Sequence, residues 1–290
     1  MDQMKPPPPE LVSCHWLAGH LEDPDVRIIE VSSRHDDTSY RAGHIPGAVW
    51  WSWKEALWHP TDRELITPEQ LAERLGALGV SPQTTLVVYG DPVQFGTYAF
   101  WVVSMAGHRD LRLLNGGRKR WTAEGRPLSQ DVPVFSPVTY PPGTADVSSR
   151  VGRDDVLARL SQPGRILLDL RSPEEYRGER VSPPSGEVRF DLDHGAERAG
   201  RIPGAVHLFF RELVNEDDTF LSPEEIWRIL RRVNITPNSG REIVTYCRLS
   251  HRATIAWFAM KYLLGLGNVQ VYDGSWTEWG SIVGFPIEKG

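Results

Sequence analysis

Residues 242–252 read EIVTYCRLSHR and lead into the stretch from Ala253 to Leu264. The first five residues are rich in β-branched side chains, as in a buried strand, whereas Ile255 and Ala259 belong to a run with helical spacing. Cys247 therefore lies where a strand turns into a helix. In open parallel sheets such turns form ligand sites, because helix N-termini present unpaired N–H groups and the positive end of the helix dipole.

The sequence around this turn belongs to an internal duplication. Four pairs of short segments recur in the same order along the chain: residues 43–48 (GHIPGA) with 200–205 (GRIPGA), 86–89 (LVVY) with 243–246 (IVTY), 99–101 (AFW) with 256–258 (AWF), and 115–117 (NGG) with 273–275 (DGS). The offset is the same for the first three pairs and slips by one residue at the fourth. Because order and spacing are both preserved, we interpret the chain as two copies of one unit.

Each copy alternates short strands with helical stretches, which is typical of a parallel sheet covered by helices. Residues 28–31 (IIEV) and 166–169 (ILLD) are predicted to be early strands. Thr67 and Ser222 each precede a proline and a glutamate, which predicts a capped helix start at both positions. The predicted fold class is therefore α/β, in two domains of the same architecture.

A proline-rich stretch separates the two copies. It runs from Gly125 to Arg150, contains five prolines and has little apolar periodicity, which predicts an extended linker over residues 126–150. The first domain then covers residues 10–125, and the second covers residues 151–290. Residues 1–9 end in a proline run and are expected to form a flexible tail.

Composition excludes several classes of function. With 40% hydrophobic residues and eleven tryptophans, a chain of 290 residues can bury the cores of two soluble domains. The net charge of −6 argues against a nucleic-acid partner. The longest apolar runs fall far short of the roughly 20 residues that span a bilayer, so no membrane association is expected. The N-terminus has neither the basic start nor the apolar core of a signal sequence, and we therefore expect a cytoplasmic protein.

The chain has only two cysteines, Cys14 and Cys247, which exclude a disulfide framework and a four-cysteine zinc site. Arg248 and Arg252 place positive charge next to Cys247, and a structural cysteine would gain nothing from them. If the loop curls around the sulfur, its amides would stabilise a thiolate, a persulfide or a bound oxyanion. We therefore interpret Cys247 as functional rather than as a small buried hydrophobe, and Cys14 as structural.

These features resemble the rhodanese superfamily, and in particular its tandem-domain thiosulfate sulfurtransferases. The resemblance covers nearly the whole chain and rests on residues 43–48, on Cys247 and Arg248 at the start of a six-residue loop, and on residues 272–279 (YDGSWTEW). It implies two rhodanese-like domains, each a parallel sheet covered by helices on both faces. It also implies a non-catalytic first domain, and Gly90 stands there in the place of Cys247.

The resemblance further implies a persulfide mechanism that needs no cofactor. The Cys247 thiolate would take the outer sulfur of thiosulfate, sulfite would leave, and the sulfur would pass to cyanide, a small thiol or a thioredoxin-like acceptor. Arg248 would pair with the sulfonate group of the donor, and Arg252 would support the anion field of the loop. The candidate substrate-binding residues are Arg248, Leu249, Ser250, His251, Arg252 and Arg177.

Three other activities remain open. A mercaptopyruvate sulfurtransferase would usually have Gly-Ser-Gly after the cysteine, where this chain has 248–250 (RLS), and Glu175 should repel the carboxylate of mercaptopyruvate if it lies near the pocket. A phosphatase or arsenate reductase of this fold would have five residues between cysteine and arginine, whereas Cys247 and Arg252 have four between them. A non-enzymatic persulfide carrier would hand its sulfur to a protein partner.

Other conspicuous side chains have structural interpretations. His251 is interpreted as a solvent-exposed filler of the loop, and His44 as a residue that fixes a turn by a hydrogen bond. Arg201 replaces His44 in the second copy, which indicates that neither side chain takes part in the chemistry. Four tryptophans lie close together in the first copy and are interpreted as core rather than as the lining of an acceptor channel: Trp50, Trp51, Trp53 and Trp58.

Overall fold

The computed structural model describes residues 9–34, 36–160, 162–182 and 195–290. The chain divides into two compact units. The first unit contains the residues up to Val147 together with Glu216–Phe220, and the second contains Ser148–Asn215 and Leu221–Gly290. The predicted tail at residues 1–9 lies outside the described residues except for Pro9.

The first unit is a five-stranded parallel sheet with helices. Its strands are β1 (Leu11–Val12), β2 (Val26–Ser32), β3 (Ala48–Ser52), β4 (Thr85–Asp91) and β5 (Leu111–Leu114). Its helices are α1 (Cys14–Ala18), α2 (Thr38–Ala42), α3 (Trp53–Leu57), α4 (Pro68–Ala77), α5 (Val93–Met105) and α6 (Gly117–Ala123). The strand order is β1-β5-β4-β2-β3, and all four pairs are parallel, so β4 is the middle strand.

The second unit repeats this architecture. Its strands are β6 (Arg150–Val151), β7 (Arg165–Asp169), β8 (Val206–His207), β9 (Glu242–Tyr246) and β10 (Val269–Tyr272). Its helices are α7 (Arg153–Ala158), α8 (Pro173–Arg177), α9 (Pro223–Arg231), α10 (His251–Phe258) and α11 (Ser275–Trp279), with a 3₁₀ turn at Phe210–Leu213 and a π-helical turn at Ala259–Leu263. The parallel strand order β6-β10-β9-β7-β8 matches that of the first unit, which confirms the duplicated α/β fold.

Most elements predicted from local signals are present. Strands β2 and β7 contain residues 28–31 and 166–169. Thr67 and Ser222 cap α4 and α9, and in both helices a reciprocal capping box and a first-turn proline are formed. The helix predicted from Ala253 begins two residues earlier and changes to the π-helical turn after Phe258. Among the described residues, no helix has the length and apolar character needed to cross a bilayer.

Residues 126–147 contain no helix or strand apart from a single bridge, and they follow the surface of the first unit. Ser129 forms an isolated antiparallel bridge with His44. Further along, the amide of Val138 donates to the carbonyl of Gly76 at 2.9 Å, which attaches this stretch to α4. The segment therefore belongs to the first unit by its contacts.

Two matching tyrosines show how closely the two units correspond. The hydroxyl of Tyr40 donates to the carbonyl of Ala48 at 2.7 Å, and the hydroxyl of Tyr176 donates to the carbonyl of Ala205 at 2.8 Å. The two alanines end the repeated GxIPGA motif, so Tyr40 and Tyr176 occupy the same place. This match aligns α2 with α8 residue by residue.

An arginine supports the same motif in each unit but comes from a different element. In the first unit, Arg118 in α6 donates to the carbonyl of Gly43 and pairs with Glu30 at 3.1 Å. In the second, Arg171 follows β7, donates to the equivalent carbonyl at 2.8 Å and pairs with Asp169 at 2.6 Å. The carboxylates on β2 and β7 are thus neutralised in both units.

His44 and Arg201 have structural contacts, as the sequence predicts. The His44 ring stacks on Tyr40 at 3.7 Å, and its nitrogens contact the carbonyl oxygens of Tyr40 and Asp131 at 2.9 and 3.1 Å. Arg201 lies over the Tyr176 ring at 4.5 Å. Both side chains pack on the matching tyrosine and hold the motif against a later part of the chain.

The tryptophan cluster belongs mainly to the core of the first unit. Trp51 and Trp53 are buried, whereas Trp50 and Trp58 are half-buried. Trp53 contacts Trp58 edge-on at 4.6 Å, and the indole N–H of Trp58 donates to the hydroxyl of Tyr98 at 2.7 Å. The interpretation as core residues is therefore confirmed for Trp51 and Trp53. Trp50 and Trp58 lie at the edge of the core, because they are only half-buried.

Candidate active site

Cys247 lies between β9 and α10, as the sequence predicts. Because β9 is the middle strand, this turn is at the centre of the carboxyl edge of the sheet. All six residues from Cys247 to Arg252, here called the Cys247 turn, are buried, and Cys247 itself is only 1% exposed. Such a position excludes bulk water from the sulfur and strengthens electrostatic interactions with it.

Ser250 closes the Cys247 turn in the left-handed conformation, with φ 65° and ψ −23°. Its side chain makes no capping hydrogen bond to α10. The hydroxyl donates instead to Oδ1 of Asp273 at 3.0 Å, and Asp273 in turn pairs with Arg150 at 3.0 Å. No oxygen of the Ser250 side chain therefore competes with the sulfur for the first amides of α10.

Ser275, the first residue of α11, fixes the turn from the other side. Its Oγ accepts hydrogen bonds from the amides of Cys247 and Ser250, both at 3.2 Å, and donates to the carbonyl of Tyr272 at 2.8 Å. The amide of Trp276 donates to the carbonyl of Cys247 at 2.9 Å. These bonds hold both sides of the turn to one short helix.

Ser275 is not among the residues predicted from the sequence, although the duplication carries a signal for it. Gly117 stands at the matching position of the first copy, and both residues have a φ of 52°. Glycine adopts this left-handed conformation at little cost, whereas serine is strained there. A serine at such a position indicates that its hydroxyl is needed, and this hydroxyl binds the Cys247 turn.

Arg252 forms a buried, bidentate ion pair with Glu175. Its Nη1 and Nη2 donate to the two carboxylate oxygens at 2.7 and 2.9 Å. Burial raises the pKa of the Glu175 carboxyl, but Arg252 outweighs burial and holds that pKa below its usual range. Burial likewise lowers the pKa of Arg252, but Glu175 raises it above its usual range, and the charge of a Cys247 thiolate acts in the same direction.

This ion pair corrects the prediction made for Glu175. We expected its charge to repel the carboxylate of mercaptopyruvate, but Arg252 compensates that charge and the carboxylate is fully buried. Glu175 is therefore not the uncompensated charge that the prediction assumed, and its effect on mercaptopyruvate stays a prediction. Arg252 acts next to the sulfur together with Glu175, rather than as an isolated cation.

Arg248 and Leu249 are the second and third residues of the turn, and both are buried. The carbonyl of Arg248 accepts a hydrogen bond from the amide of Thr277 at 3.1 Å. Its guanidinium lies beside Gly195, where an added Cβ would be 3.6 Å from Nη1. Binding of a sulfonate group by Arg248 remains a prediction.

Two other candidate residues are placed differently from our expectation. His251 begins α10, and because every residue of that helix is buried, the interpretation of His251 as solvent-exposed is wrong. Arg177 is exposed at the end of α8 and pairs with Glu179 at 2.6 Å. Residues two positions apart point to opposite sides of a helix, so Arg177 faces away from the side on which Glu175 binds the Cys247 turn. The structure therefore gives no support to Arg177 as a substrate-binding residue.

The turn in the first unit that matches the Cys247 turn is closed. It begins at Gly90, the residue before the end of β4. A Cβ atom at Gly90 would lie within 2.5 Å of the Pro92 carbonyl oxygen and 3.0 Å from that of Val93, and closer still to the amide nitrogen of Gly96. The backbone therefore occupies the space in which a cysteine side chain would begin.

The second cysteine, Cys14, has a different environment. It is buried at the start of α1, and burial raises the pKa of its thiol to about 11. The thiol therefore stays protonated at neutral pH, where it is a weak nucleophile. It lines a cavity of about 270 Å³ with Arg120, Thr219 and Phe220. In the part of the chain that the structure describes, no group of three His, Cys, Asp or Glu residues could hold a metal ion.

Fold and turn together define a duplicated α/β protein with one candidate sulfur nucleophile. Residues 13–124 and 153–282 match the rhodanese-like domain, and the chain belongs to this family. The sulfur carrier protein TtuD of Thermus thermophilus is 45% identical over 287 residues, with 98% of both chains covered. SseA of Mycobacterium tuberculosis, named provisionally as a thiosulfate sulfurtransferase, is 42% identical over 286 residues, covering 98% of this chain and 92% of SseA. Among solved structures, the chain is similar to a variant of EanB with a TM-score of 0.80 and 28% identity, over 97% of this chain and 71% of the EanB chain. That EanB structure shows a cysteine persulfide in a tetrahedral intermediate state with ergothioneine.

Proposed function

We propose that this protein is a sulfurtransferase that carries sulfur as a persulfide on Cys247, from thiosulfate to a thiophilic acceptor such as cyanide or a small thiol. The contrast between the two units carries the proposal. One unit fixes a cysteine in a turn held by Ser275 and Arg252, whereas the other closes the same turn at Gly90. The names of TtuD and SseA and the persulfide state of EanB support sulfur chemistry on this fold.

The proposed reaction has two displacements at sulfur. The Cys247 thiolate attacks the outer sulfur of thiosulfate, the S–S bond of the donor breaks, and its electron pair leaves with sulfite. Cyanide carbon or an acceptor thiolate then attacks the terminal sulfur of the persulfide, and the electron pair of the breaking bond returns to Sγ. Both steps pass through anionic sulfur, which the amides of the turn and the N-terminus of α10 stabilise.

Arg248 and Leu249 favour thiosulfate as the donor. A guanidinium binds a compact sulfonate through charge-assisted hydrogen bonds, which is the role we assign to Arg248. Leu249 has no hydroxyl that could assist proton transfer to a departing pyruvate enolate, so mercaptopyruvate is the less suitable donor. Arg252 directs both of its terminal nitrogens to Glu175, which argues against its use as a phosphate-binding arginine in a phosphatase or arsenate reductase.

A sulfur carrier that serves a protein partner is the second candidate function. The name of TtuD, together with its 45% identity, favours this alternative. A carrier would form the same persulfide on Cys247 but would release the sulfur slowly to cyanide and small thiols. A thioredoxin-like protein is the acceptor class that we propose to test.

The donor and acceptor can be assigned with one set of assays on the full chain. Turnover of thiosulfate and of mercaptopyruvate is first measured with cyanide as the acceptor. Turnover of thiosulfate is then measured with a small thiol and with thioredoxin as acceptors. We expect the higher kcat/KM with thiosulfate. A higher value with mercaptopyruvate would overturn the donor assignment only. A persulfide that forms but turns over only with a protein would favour the carrier, and absence of any persulfide on Cys247 would refute both functions.

A further inference from the structure

The Glu175–Arg252 ion pair belongs to the unit that carries the cysteine. Glu175 directly precedes Tyr176, and in the first unit Ser39 precedes the matching tyrosine. Phe95 matches Arg252, since each lies five positions after the first residue of its turn. The first unit therefore has a serine and a phenylalanine where the second has two opposite charges.

The fold of the unit does not require this ion pair. Taking two charges out of water is costly, and apolar replacements of buried ion pairs are often neutral or stabilising. The first unit illustrates such a replacement, because Phe95 is buried in the place of Arg252 and the same sheet forms around it. The presence of Glu175 and Arg252 next to Cys247 thus indicates a role in the chemistry of the turn.

Four buried charges form two ion pairs in the second unit. Asp169 pairs with Arg171 at 2.6 Å, and Glu175 pairs with Arg252 at 2.7 Å. Neighbouring pairs also interact, since the charge of Arg171 contributes to the lowered pKa of Glu175. Arg252 belongs to the Cys247 turn, and it interacts electrostatically with Cys247. The four charges sum to zero, so a thiolate or persulfide adds the only net charge to this set.

We propose that Glu175 is a positioning residue that orients Arg252 and limits the positive potential at the Cys247 sulfur. This inference rests on the proposed function, because it concerns the reactivity of the sulfur carrier. Without the Glu175 charge, the full charge of Arg252 would act on the thiolate and on the dianionic donor. The donor would bind more tightly, but a more strongly stabilised thiolate is a weaker nucleophile. Glu175 thus favours turnover over donor affinity.

Two electrophiles that differ only in charge can measure this potential. Iodoacetamide is neutral and iodoacetate is anionic, and with both the Cys247 thiolate forms an S–C bond as iodide leaves with its electron pair. The quantity compared is the ratio of the iodoacetate rate to the iodoacetamide rate at Cys247, read by mass spectrometry of the full chain. Loosening of the turn changes both rates in parallel, whereas a change in potential alters their ratio.

The variants change charge and keep the cap of α8. Glutamine serves in a capping box as glutamate does, so Glu175→Gln removes the charge and retains the bond to the amide of Ser172. We expect its rate ratio to rise on the order of tenfold, with a lower KM for thiosulfate and a lower kcat. Arg252→Gln should shift the ratio in the opposite direction. In Glu175→Asp the rate ratio should stay near that of the unmodified protein. The same is expected of the matched control Glu174→Gln, which lies in the same helical turn.

The double variant Glu175→Gln with Arg252→Gln has no net charge at the pair and is expected to restore the ratio. If Glu175→Gln does not fold, the contrast between Arg252→Gln and the double variant gives the same test. The inference is refuted if both electrophiles change in parallel, or if the two single variants shift the ratio in the same direction. Alkylation requires no sulfur transfer, so a missing persulfide would refute the proposed function without affecting this result.

Discussion

At the scale of the residue, Ser275 combines backbone strain with two hydrogen bonds to the Cys247 turn. A left-handed backbone costs a non-glycine residue on the order of 1–2 kcal/mol, which Gly117 avoids at the same φ of 52°. A buried amide left without an acceptor costs about 1–3 kcal/mol, and Ser275 accepts from two of them. The hydrogen bonds therefore outweigh the strain, provided that the turn keeps its present shape.

Ser275→Gly should separate activity from stability. The change relieves the strain but leaves the amides of Cys247 and Ser250 without their acceptor, so the turn should lose its fixed shape while the unit stays folded. We expect kcat with thiosulfate to fall at least about tenfold, because misplaced catalytic groups are costly, and the urea midpoint to fall only modestly, because relief of the strain offsets part of the lost hydrogen bonding. Ser281→Gly, in which the hydroxyl lost is bonded to Thr277, is the matched control and should keep full activity. Unchanged kcat in Ser275→Gly would contradict the role given to this hydroxyl.

The two cysteines give the most direct test of the proposed carrier. Cys247→Ser removes the nucleophile and should abolish sulfur transfer while preserving the fold. Cys14→Ser should retain transfer, because the protonated, buried Cys14 thiol takes no part in it. After thiosulfate treatment, mass spectrometry should find one added sulfur atom on Cys247. An added sulfur on Cys14, or activity that survives in Cys247→Ser, would show the assignment to be wrong.

At the scale of the element, local signals predicted helix starts and strands, whereas side-chain pairing could not be predicted. Thr67 and Ser222 cap their helices through residues only three positions away, so the sequence alone indicates both boundaries. Glu175 and Arg252 are 77 positions apart and meet because α8 and the start of α10 pack together. Periodicity does not report such a contact, so the sequence alone does not indicate that Arg252 compensates the charge of Glu175.

The closed turn of the first unit leads to a prediction of its own. A side chain at Gly90 would overlap the backbone at Pro92 and Gly96, so Gly90→Ala should destabilise the protein by about 1–3 kcal/mol, the usual cost of overpacking. Gly152→Ala is the control, since nothing lies within 4 Å of its added Cβ. Urea unfolding measures both changes. Gly90→Cys should likewise be destabilised and should gain no persulfide, and a second persulfide at that position would show that the turn can open.

At the scale of the whole molecule, the duplicated sequence does not divide into two independent halves. The segment Glu216–Phe220 belongs to the first unit, although in sequence it lies between the two parts of the second unit. Arg120 pairs with Asp217 at 2.5 Å, and Oδ1 of Asn115 accepts a hydrogen bond from the amide of Phe220 at 2.9 Å. A short acidic stretch such as 216–220 has the composition of a surface loop, and nothing in that composition predicts contact with the first unit.

Asn115→Ala should release this segment from the first unit. The amide of the buried residue Phe220 would lose the acceptor that Asn115 provides, at a cost of about 1–3 kcal/mol. Hydrogen exchange measured by mass spectrometry should then become faster in residues 216–220 and in α6, which contains Arg120, while β9 keeps its protection. Asn238→Ala, at an exposed position, is the matched control and should leave all of these rates unchanged. If residues 216–220 are equally protected in the two variants, the bond from Asn115 does not hold the segment. If exchange also becomes faster in β9 of Asn115→Ala, the two units unfold together.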